Sequence, residues 1–473
     1  MEEVIYLMSD LLWGAILIYL LSGVGIFFTA KLGFIQFRHF SHMFSVLKNS
    51  RKGDQSGISS FQALCTGLAA RVGTGNMAGV AVAITTGGPG AVFWMWFIAM
   101  LGMPTAFAES TLAQLYKTRD ENGCYRGGPA YYIEKGLGMR WLGMVFSMLL
   151  IVAFGLIFNA VQANSIASAL SSAFGWDNLY VGLGVAALSA VVIFGGLRRI
   201  ARVAELLVPL MLLIYLGLAL FIVFVNLEKV PAVLSLVVES AFGLTEAAAG
   251  GVGYAISQAM INGFRRGLFS NESGMGAAPN IAASAAPSPP HPASQGYVQM
   301  LGVFIDTIVI CTATVSIILL SGEYIPHSEI TGIQLTQRAV SAQVGDWGSL
   351  FVAFAIFFFA FTSIIANYCY AETNILFLGR NRKRGIQVFR LLVLAMVLIG
   401  SLGALDVIWA LADVSMGLMV IINLVAITLL SGIVIKLARD YNSQLRAGKE
   451  PVFNTQEYPE LHSQLEKGIW DRK

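Results

Sequence analysis

Residues 69–79 read AARVGTGNMAG inside a stretch that is otherwise apolar enough to cross a bilayer. A spanning helix has no use for three glycines, an asparagine and an arginine at its centre. In hydrocarbon every unpaired backbone amide or carbonyl is costly, so lipid-exposed breaks do not occur. A break is tolerated where the freed groups hold something, which is how secondary transporters build ion and substrate sites. The competing explanation is a close crossing of two helices through small residues.

Composition sets the class. The chain has 473 residues, 56% hydrophobic and only 12% charged, with a mean hydropathy of +0.71. A soluble domain is about one quarter charged, so most of this chain belongs in lipid. Cys65, Cys124, Cys311 and Cys369 lie far apart and show neither paired nor metal-ligand spacing. The first 30 residues start acidic, with Glu2 and Glu3, and lack a basic region and a small-residue cleavage site. They read as a retained helix rather than a signal peptide.

A spanning helix needs about 20 apolar residues. Eleven segments qualify: 11–30, 62–86, 90–115, 144–170, 179–194, 203–226, 245–263, 298–320, 348–377, 386–402 and 407–435. Charge placement tests this number independently. Taking 31–60, 116–143, 195–202, 264–297, 378–385 and 436–473 as one side gathers 26 of the 30 Lys and Arg there. Lys229 and Arg338 remain opposite, while Arg71 and Arg390 fall within spans. Positive residues mark the cytoplasmic side, which predicts an outside N-terminus, a cytoplasmic C-terminus and a plasma-membrane protein surrounded by lipid. Residues 268–297, rich in Gly, Ser, Ala and Pro, read as a flexible inner linker or a short helix under the bundle. The tail beyond about residue 440 reads as a solvated extension.

Setting aside the first helix leaves ten, in two sets of five. An odd number of crossings per set makes the second set enter from the opposite side, an inverted repeat. The predicted organisation is residues 1–61 (N-terminus, first helix and inner loop), 62–226 (first repeat), 227–435 (second repeat) and 436–473 (tail). Each repeat should begin with a broken helix. The first has Val72-Gly73-Thr74-Gly75-Asn76, and Gly250-Gly251-Val252-Gly253 is the expected counterpart.

The string Arg71–Asn76 resembles the AVGLGN-like first broken helix of LeuT-type transporters. Three longer strings are similar to signatures of the alanine or glycine:cation symporters (sodium:alanine symporters). They are Gly87-Gly88-Pro89-Gly90-Ala91-Val92-Phe93-Trp94-Met95-Trp96-Phe97, Phe269-Ser270-Asn271-Glu272-Ser273-Gly274-Met275-Gly276-Ala277-Ala278-Pro279 and Ala366-Asn367-Tyr368-Cys369-Tyr370-Ala371-Glu372-Thr373-Asn374. The resemblance spreads over most of residues 10–440 and implies an all-α LeuT-type 5+5 repeat carrying sodium with a small neutral amino acid.

That resemblance places one sodium between the first broken helix and the ninth span, at Ala69, Val72, Thr362 and Ser363, with Asn76 at a second sodium position. The alternative for Thr362 and Ser363 is bonding back to their own helix. Backbone amides at a helix break suit a carboxylate, which assigns Thr74, Gly75 and Asn76 to the substrate. Carbonyls near Gly250, Gly251 and Gly253 would accept from its ammonium. Gln162, a lone amide in the fourth span, is a substrate contact or an interhelical bond, and Asn159 shares its face. Arg71 either binds the substrate carboxylate or closes an inner gate with Glu109, Glu272 or Glu372. Asp306 and Asp413 are intramembrane acids, and a proton relay through them stays open. Trp94, Trp96 and Phe93 suit an interfacial belt.

All five histidines lie outside the spans, no nucleophile–base constellation is visible and there is no phosphate loop. Enzymes and ATP-driven pumps are therefore disfavoured, and neither a cofactor nor a nucleic-acid partner is expected. A channel wants a continuous pore, usually with identical subunits around it. The resemblance implies sodium-coupled uptake of alanine or glycine by alternating access. A proton-coupled carrier, or a sodium-coupled carrier of another neutral amino acid such as glutamine, stands as the alternative.

Overall fold

The computed structural model describes residues 2–48, 50–244, 252–326, 330–379, 382–403 and 405–470. The framing elements are α1 (Glu3–Lys31), α2 (Ser60–Arg71), α3 (Val80–Gly87), α4 (Ala91–Leu115), α5 (Arg140–Phe174), α6 (Asn178–Ile193), α7 (Gly196–Val225) and α8 (Val252–Asn271). They continue with α9 (Pro279–Ala283), α10 (Pro292–Ser321), α11 (Gly332–Val344), α12 (Trp347–Leu378), α13 (Arg384–Leu402), α14 (Ile408–Leu429) and α15 (Ser431–Arg446). Eight of the described helices are long and apolar enough to cross a membrane: α1, α4, α5, α7, α10, α12, α13 and α14.

The first interruption falls where the glycines are. α2 opens on a reciprocal cap: Gln62 N donates to Ser59 Oγ at 3.0 Å, and Ser59 N donates to Gln62 Oε1 at 3.1 Å. It stops at Val72, whose backbone is extended (φ −78°, ψ 91°). A π-helical turn over Gly75–Gly79 then leads into α3. A Cβ at position 73 would displace Ser363 Oγ and Gln162 Oε1 from their present places. Further π turns lie in α1 (Leu12–Leu17), α5 (Ala153–Ile157) and α10 (Phe304–Cys311).

The expected second interruption at residues 250–253 lies largely outside the described residues. Gly250 and Gly251 lie outside the described residues, and Gly253 sits exposed in the first turn of an unbroken α8. The backbone leaves the helix at Glu272 instead, which has φ 57°, followed by Gly274 and Gly276, each with φ 80°. Those angles end a helix, and α9 resumes beyond them. Residues 268–285 are buried throughout, so this stretch is no flexible linker. A parallel bridge pairs Ile58–Ser59 with Ala285–Ala286, tying the start of α2 to the chain just beyond α9. Arg265 and Arg266 are not loop cations either. They project from α8 and pair with Asp10, at 3.1 Å, and with Asp413.

The tail also departs from expectation. Phe453, Tyr458, Leu461 and Trp470 are buried against the end of the bundle that carries the Ile58–Ala285 bridge. Trp470 Nε1 donates to Leu115 O at 3.2 Å, Tyr116 donates to Gln464 Oε1 at 2.7 Å, and Lys135 pairs with Glu466 at 3.1 Å. Trp470 also covers Lys117, whose ammonium lies 4.8 Å from that ring and 4.0 Å from the Tyr125 ring. Burial pushes the Lys117 ammonium down to about 7. With the tail lifted, Lys117 regains solvent and a higher pKa, so the docked form binds fewer protons over the interval between the two. Docking is therefore expected to tighten as pH rises from 7 and to loosen at pH 6. Limited proteolysis of the purified protein reads this as slower tail cleavage at pH 9 than at pH 6. Lys117→Met should make the rate independent of pH, and equal wild-type rates at both pH values would refute the linkage.

Candidate functional site

The two interruptions pack near each other in a buried polar cluster. At the first, Thr74 N donates to Gln162 Oε1 at 2.9 Å and Gly73 N donates to Asn76 Oδ1 at 3.0 Å. Both freed amides are thus held by side-chain carbonyls, one from α5 and one local. Thr74 Oγ1 is buried and has no partner. Asn76 Nδ2 reaches α10, donating to Asp306 Oδ1 at 2.8 Å and to Asp306 O at 3.1 Å. Ser270 of α8 and Thr307 donate to Asp306 Oδ2 at 2.7 and 2.8 Å. Asp306 therefore gathers donors from the first interrupted helix, from α8 and from its own π turn, at 0% exposure.

At the second interruption Glu109 of α4 takes the freed amides. Its two carboxylate oxygens accept from Gly274 N and Gly276 N, each at 3.2 Å, and Asn423 Nδ2 donates to it at 2.8 Å. A carboxylate bridging two backbone amides acts as a helix cap supplied from another helix.

The expected sodium position comes together in part. Ser363 Oγ of α12 donates to Ala69 O of α2 at 2.8 Å and to Phe359 O at 3.0 Å. Thr362 Oγ1 bonds its own helix, donating to Phe359 O at 2.9 Å. Val72 forms the extended end of α2 one turn from Ala69. Sodium is a hard cation that takes carbonyl and hydroxyl oxygens, and this cleft between α2 and α12 offers both. Asn159 Oδ1 accepts from Asn367 Nδ2 at 3.1 Å, which carries the polar lining further along α5 and α12.

Three aromatic rings pack beside the first interruption, and the sequence reading did not single them out. Phe158 stacks on Phe269 with centroids 4.7 Å apart, and Phe269 packs on Trp409 at 4.7 Å. Phe269 and Trp409 also lie against the backbone of Gly75 and Gly79. Arg266 lies over the outer face of Trp409, 4.4 Å from its centroid, and pairs with Asp413. Trp13 Nε1 of α1 donates to Asp413 O at 3.2 Å. Phe269 and Ser270 stood in a family-like string, but nothing local distinguished them from packing residues. Trp409 and Arg266 carried no signal until α8 and α14 were brought together.

Arg71 is 1% exposed, and its Nη1 donates to Gln299 O at 3.3 Å. Nε and Nη2 have no partner, and among the described residues no carboxylate lies within 4.0 Å. Of its three expected partners, Glu372 faces Arg126 at 4.0 Å, and Glu109 caps the second interruption. Glu272 keeps a buried Oε2 without a partner. The indoles of Trp94 and Trp96 donate to Ala241 O at 3.3 Å and to Thr312 Oγ1 at 2.8 Å, so both rings tie helices together.

Comparison with known proteins adds the family. The profile of the sodium:alanine symporter family matches residues 1–455. The amino-acid carrier protein AlsT of Bacillus subtilis is 50% identical, the match covering 97% of this chain and 96% of the relative. The probable sodium/glutamine symporter GlnT of the same organism is 49% identical, over 96% of this chain and 93% of the relative. Among solved structures, a histidine-to-alanine variant of the Eremococcus coleocola manganese transporter superposes with a TM-score of 0.50 at 15% identity, covering 79% of this chain and 78% of that one. That likeness concerns the fold alone. With a profile matched along nearly its whole length and relatives at half identity, the chain belongs to the sodium:alanine symporter family and is a multi-pass, sodium-coupled amino-acid symporter, not an enzyme.

Proposed function

We propose that this chain moves a small neutral amino acid, alanine or glycine, into the cell together with sodium by alternating access. One observation carries the reading: two interrupted helices bring their freed backbone groups into one buried polar cluster, where side chains, Gln162 and Glu109 from other helices and Asn76 locally, hold those groups. The topology proposed is eleven crossings, with α2–α3 and α8–α9 each opening one five-helix inverted repeat. The N-terminus would lie outside and the C-terminus inside the plasma membrane.

In this reading the substrate carboxylate takes the amides of Thr74, Gly75 and Asn76, displacing the Gln162 carboxamide from Thr74 N. The ammonium faces Ser270 and the carbonyls at the end of α8, in place of the carbonyls at residues 250, 251 and 253. The Phe158–Phe269–Trp409 wall sets the space left for the side chain, which favours small substrates. A first sodium uses Ala69 O, Val72 O, Thr362 and Ser363. A second cation position is Asn76 with Asp306. The Arg266–Asp413 pair and Trp409 close the outer side, and Arg71 with Glu272 closes the inner one.

Proteoliposomes given an inward sodium gradient should take up labelled alanine or glycine, and potassium in place of sodium should abolish uptake. Equal uptake in potassium would refute sodium coupling and transfer the weight to protons. Thr362→Ala and Ser363→Ala should each raise the half-saturating sodium concentration by about tenfold, the loss of roughly 1.4 kcal/mol of ligation, with KM for alanine at saturating sodium little changed. Gln162→Ala should raise KM for alanine instead.

Asp413→Asn leaves the buried Arg266 charge without its counter-ion. Breaking such a pair costs about 3–5 kcal/mol, whereas replacing both partners with apolar residues is often neutral. Thermal unfolding should therefore fall clearly for Asp413→Asn and less for Arg266→Met with Asp413→Leu. If the pair also gates, the double variant should leak substrate from preloaded vesicles while keeping its fold.

A further inference from the structure

Lys117 follows α4 and is only 2% exposed. A buried ammonium is tolerated only when other groups replace its water. Lys117 Nζ donates to Gln114 Oε1 at 2.9 Å and to Ala285 O at 3.0 Å. Two rings cover it as well, Tyr125 at 4.0 Å and Trp470 at 4.8 Å, and such contacts strengthen when water is excluded. One of those rings belongs to the tail. The tail's ion pairs, Lys135–Glu466 and Lys436–Glu460, are part-exposed, and pairs of that kind hold weakly. Its buried grip is aromatic: Phe453 packs on His291 and on Trp470, and Trp470 lies over Lys117.

The carbonyl that Lys117 holds sits in a joint between two parts of the chain. Ala285 pairs with Ile58 in the parallel bridge, and Ile58 N donates to Ser284 O at 3.1 Å. Gln114, itself 0% exposed, donates to Ala285 O at 2.9 Å and also to Ala282 O. Tyr125 ties the same segment down: its amide donates to Ser56 O at 2.8 Å and its hydroxyl to Asp54 Oδ2 at 3.2 Å. Ser59, next to Ile58, is the cap of α2. A continuous line of contacts therefore runs from Trp470 through Lys117 and Ala285 to the first turn of α2. The far end of that 12-residue helix carries Ala69 and Val72, the carbonyls proposed above for sodium.

We infer that the tail, residues 450–470, is a clamp that keeps this end of the transport path closed, with Trp470 and Lys117 as positioning residues that act through Ala285 on the start of α2. In the topology proposed above this end faces the cytoplasm. Inward opening then begins with Trp470 leaving Lys117, after which Ile58 parts from Ala285 and α2 swings away. The inference rests on the alternating-access reading for calling that motion an opening. A tail that only buried apolar surface would never have to let go during transport, and this is the difference a measurement can read.

Cys65, Cys311 and Cys369 are buried and Cys124 is half-buried, so a reporter cysteine can be read in full-length protein carrying Cys124→Ser. Ala63→Cys, buried in α2 one turn beyond Ser59, is labelled with a hydrophilic maleimide. Trp470→Ala and Lys117→Met should each speed labelling about tenfold. The double variant should go no faster, because both changes break one line of contacts. Trp470→Phe, which keeps a ring over the ammonium, should stay near the wild-type rate. In a second arm, Lys135→Cys and Glu466→Cys are joined by a short cleavable bismaleimide, which holds the tail docked. Uptake of labelled alanine or glycine should then fall about tenfold, as when a conformational step is blocked, and return when reductant cuts the link. Labelling unchanged by Trp470→Ala, effects of the two variants that multiply, or full uptake with the tail linked overturns the inference. Uptake that persists in potassium while the labelling pattern holds would sink sodium coupling and leave the clamp standing.

Discussion

Everything in the centre of this protein follows from one requirement: a helix may stop inside a bilayer only if the polar backbone it exposes is held by other protein groups. The chain meets that requirement twice, with opposite chemistry. At the first interruption neutral carboxamides do the holding, Gln162 on Thr74 N and Asn76 on Gly73 N. At the second a carboxylate does it, Glu109 on Gly274 N and Gly276 N. A carboxylate cap repels a second carboxylate, whereas a neutral carboxamide does not. The difference supports the proposal that a substrate carboxylate docks at the first break and not the second.

The aromatic wall and the charge pair above it belong to the same arrangement. Phe269 lies close on the break because Gly75 presents no side chain, and Trp409 lies beside Gly79. Arg266 then finds both an aromatic face and a carboxylate in a place where an isolated guanidinium would be prohibitive. α1 contributes by fixing Asp413 through Trp13.

Much of this was legible before any coordinates. The glycines of Val72–Asn76 located the first break, because no spanning helix tolerates them idly. Ser363 and Ala69 do meet across α12 and α2. The interruption at Glu272–Gly276 carried no such signal, because it depends on Glu109, distant in sequence and visible only once α4 packs beside it. Residues 268–297 read as a flexible linker or a short helix because Gly, Ser and Ala are both what linkers are made of and what allows backbones to pack closely; the stretch holds the short buried helix α9. The tail misled by its polarity. Its buried residues, Phe453, Tyr458, Leu461 and Trp470, are too irregularly spaced to form a periodic face.

The π turns at Gly75–Gly79, Ala153–Ile157 and Phe304–Cys311 have a consequence for how this chain tolerates insertion and deletion. Each turn accommodates one residue more than a regular ladder, so everything beyond it is rotated by about 100° relative to an unbroken α-helix. Removing one residue there restores the regular ladder and changes which way the following side chains face, at the cost of only about 1.5 Å of depth. For α10 that would swing either Asp306 or the far half of the helix out of its present facing. Length variation in these three turns is therefore a means of re-aiming a transport pocket without rebuilding the membrane span that carries it.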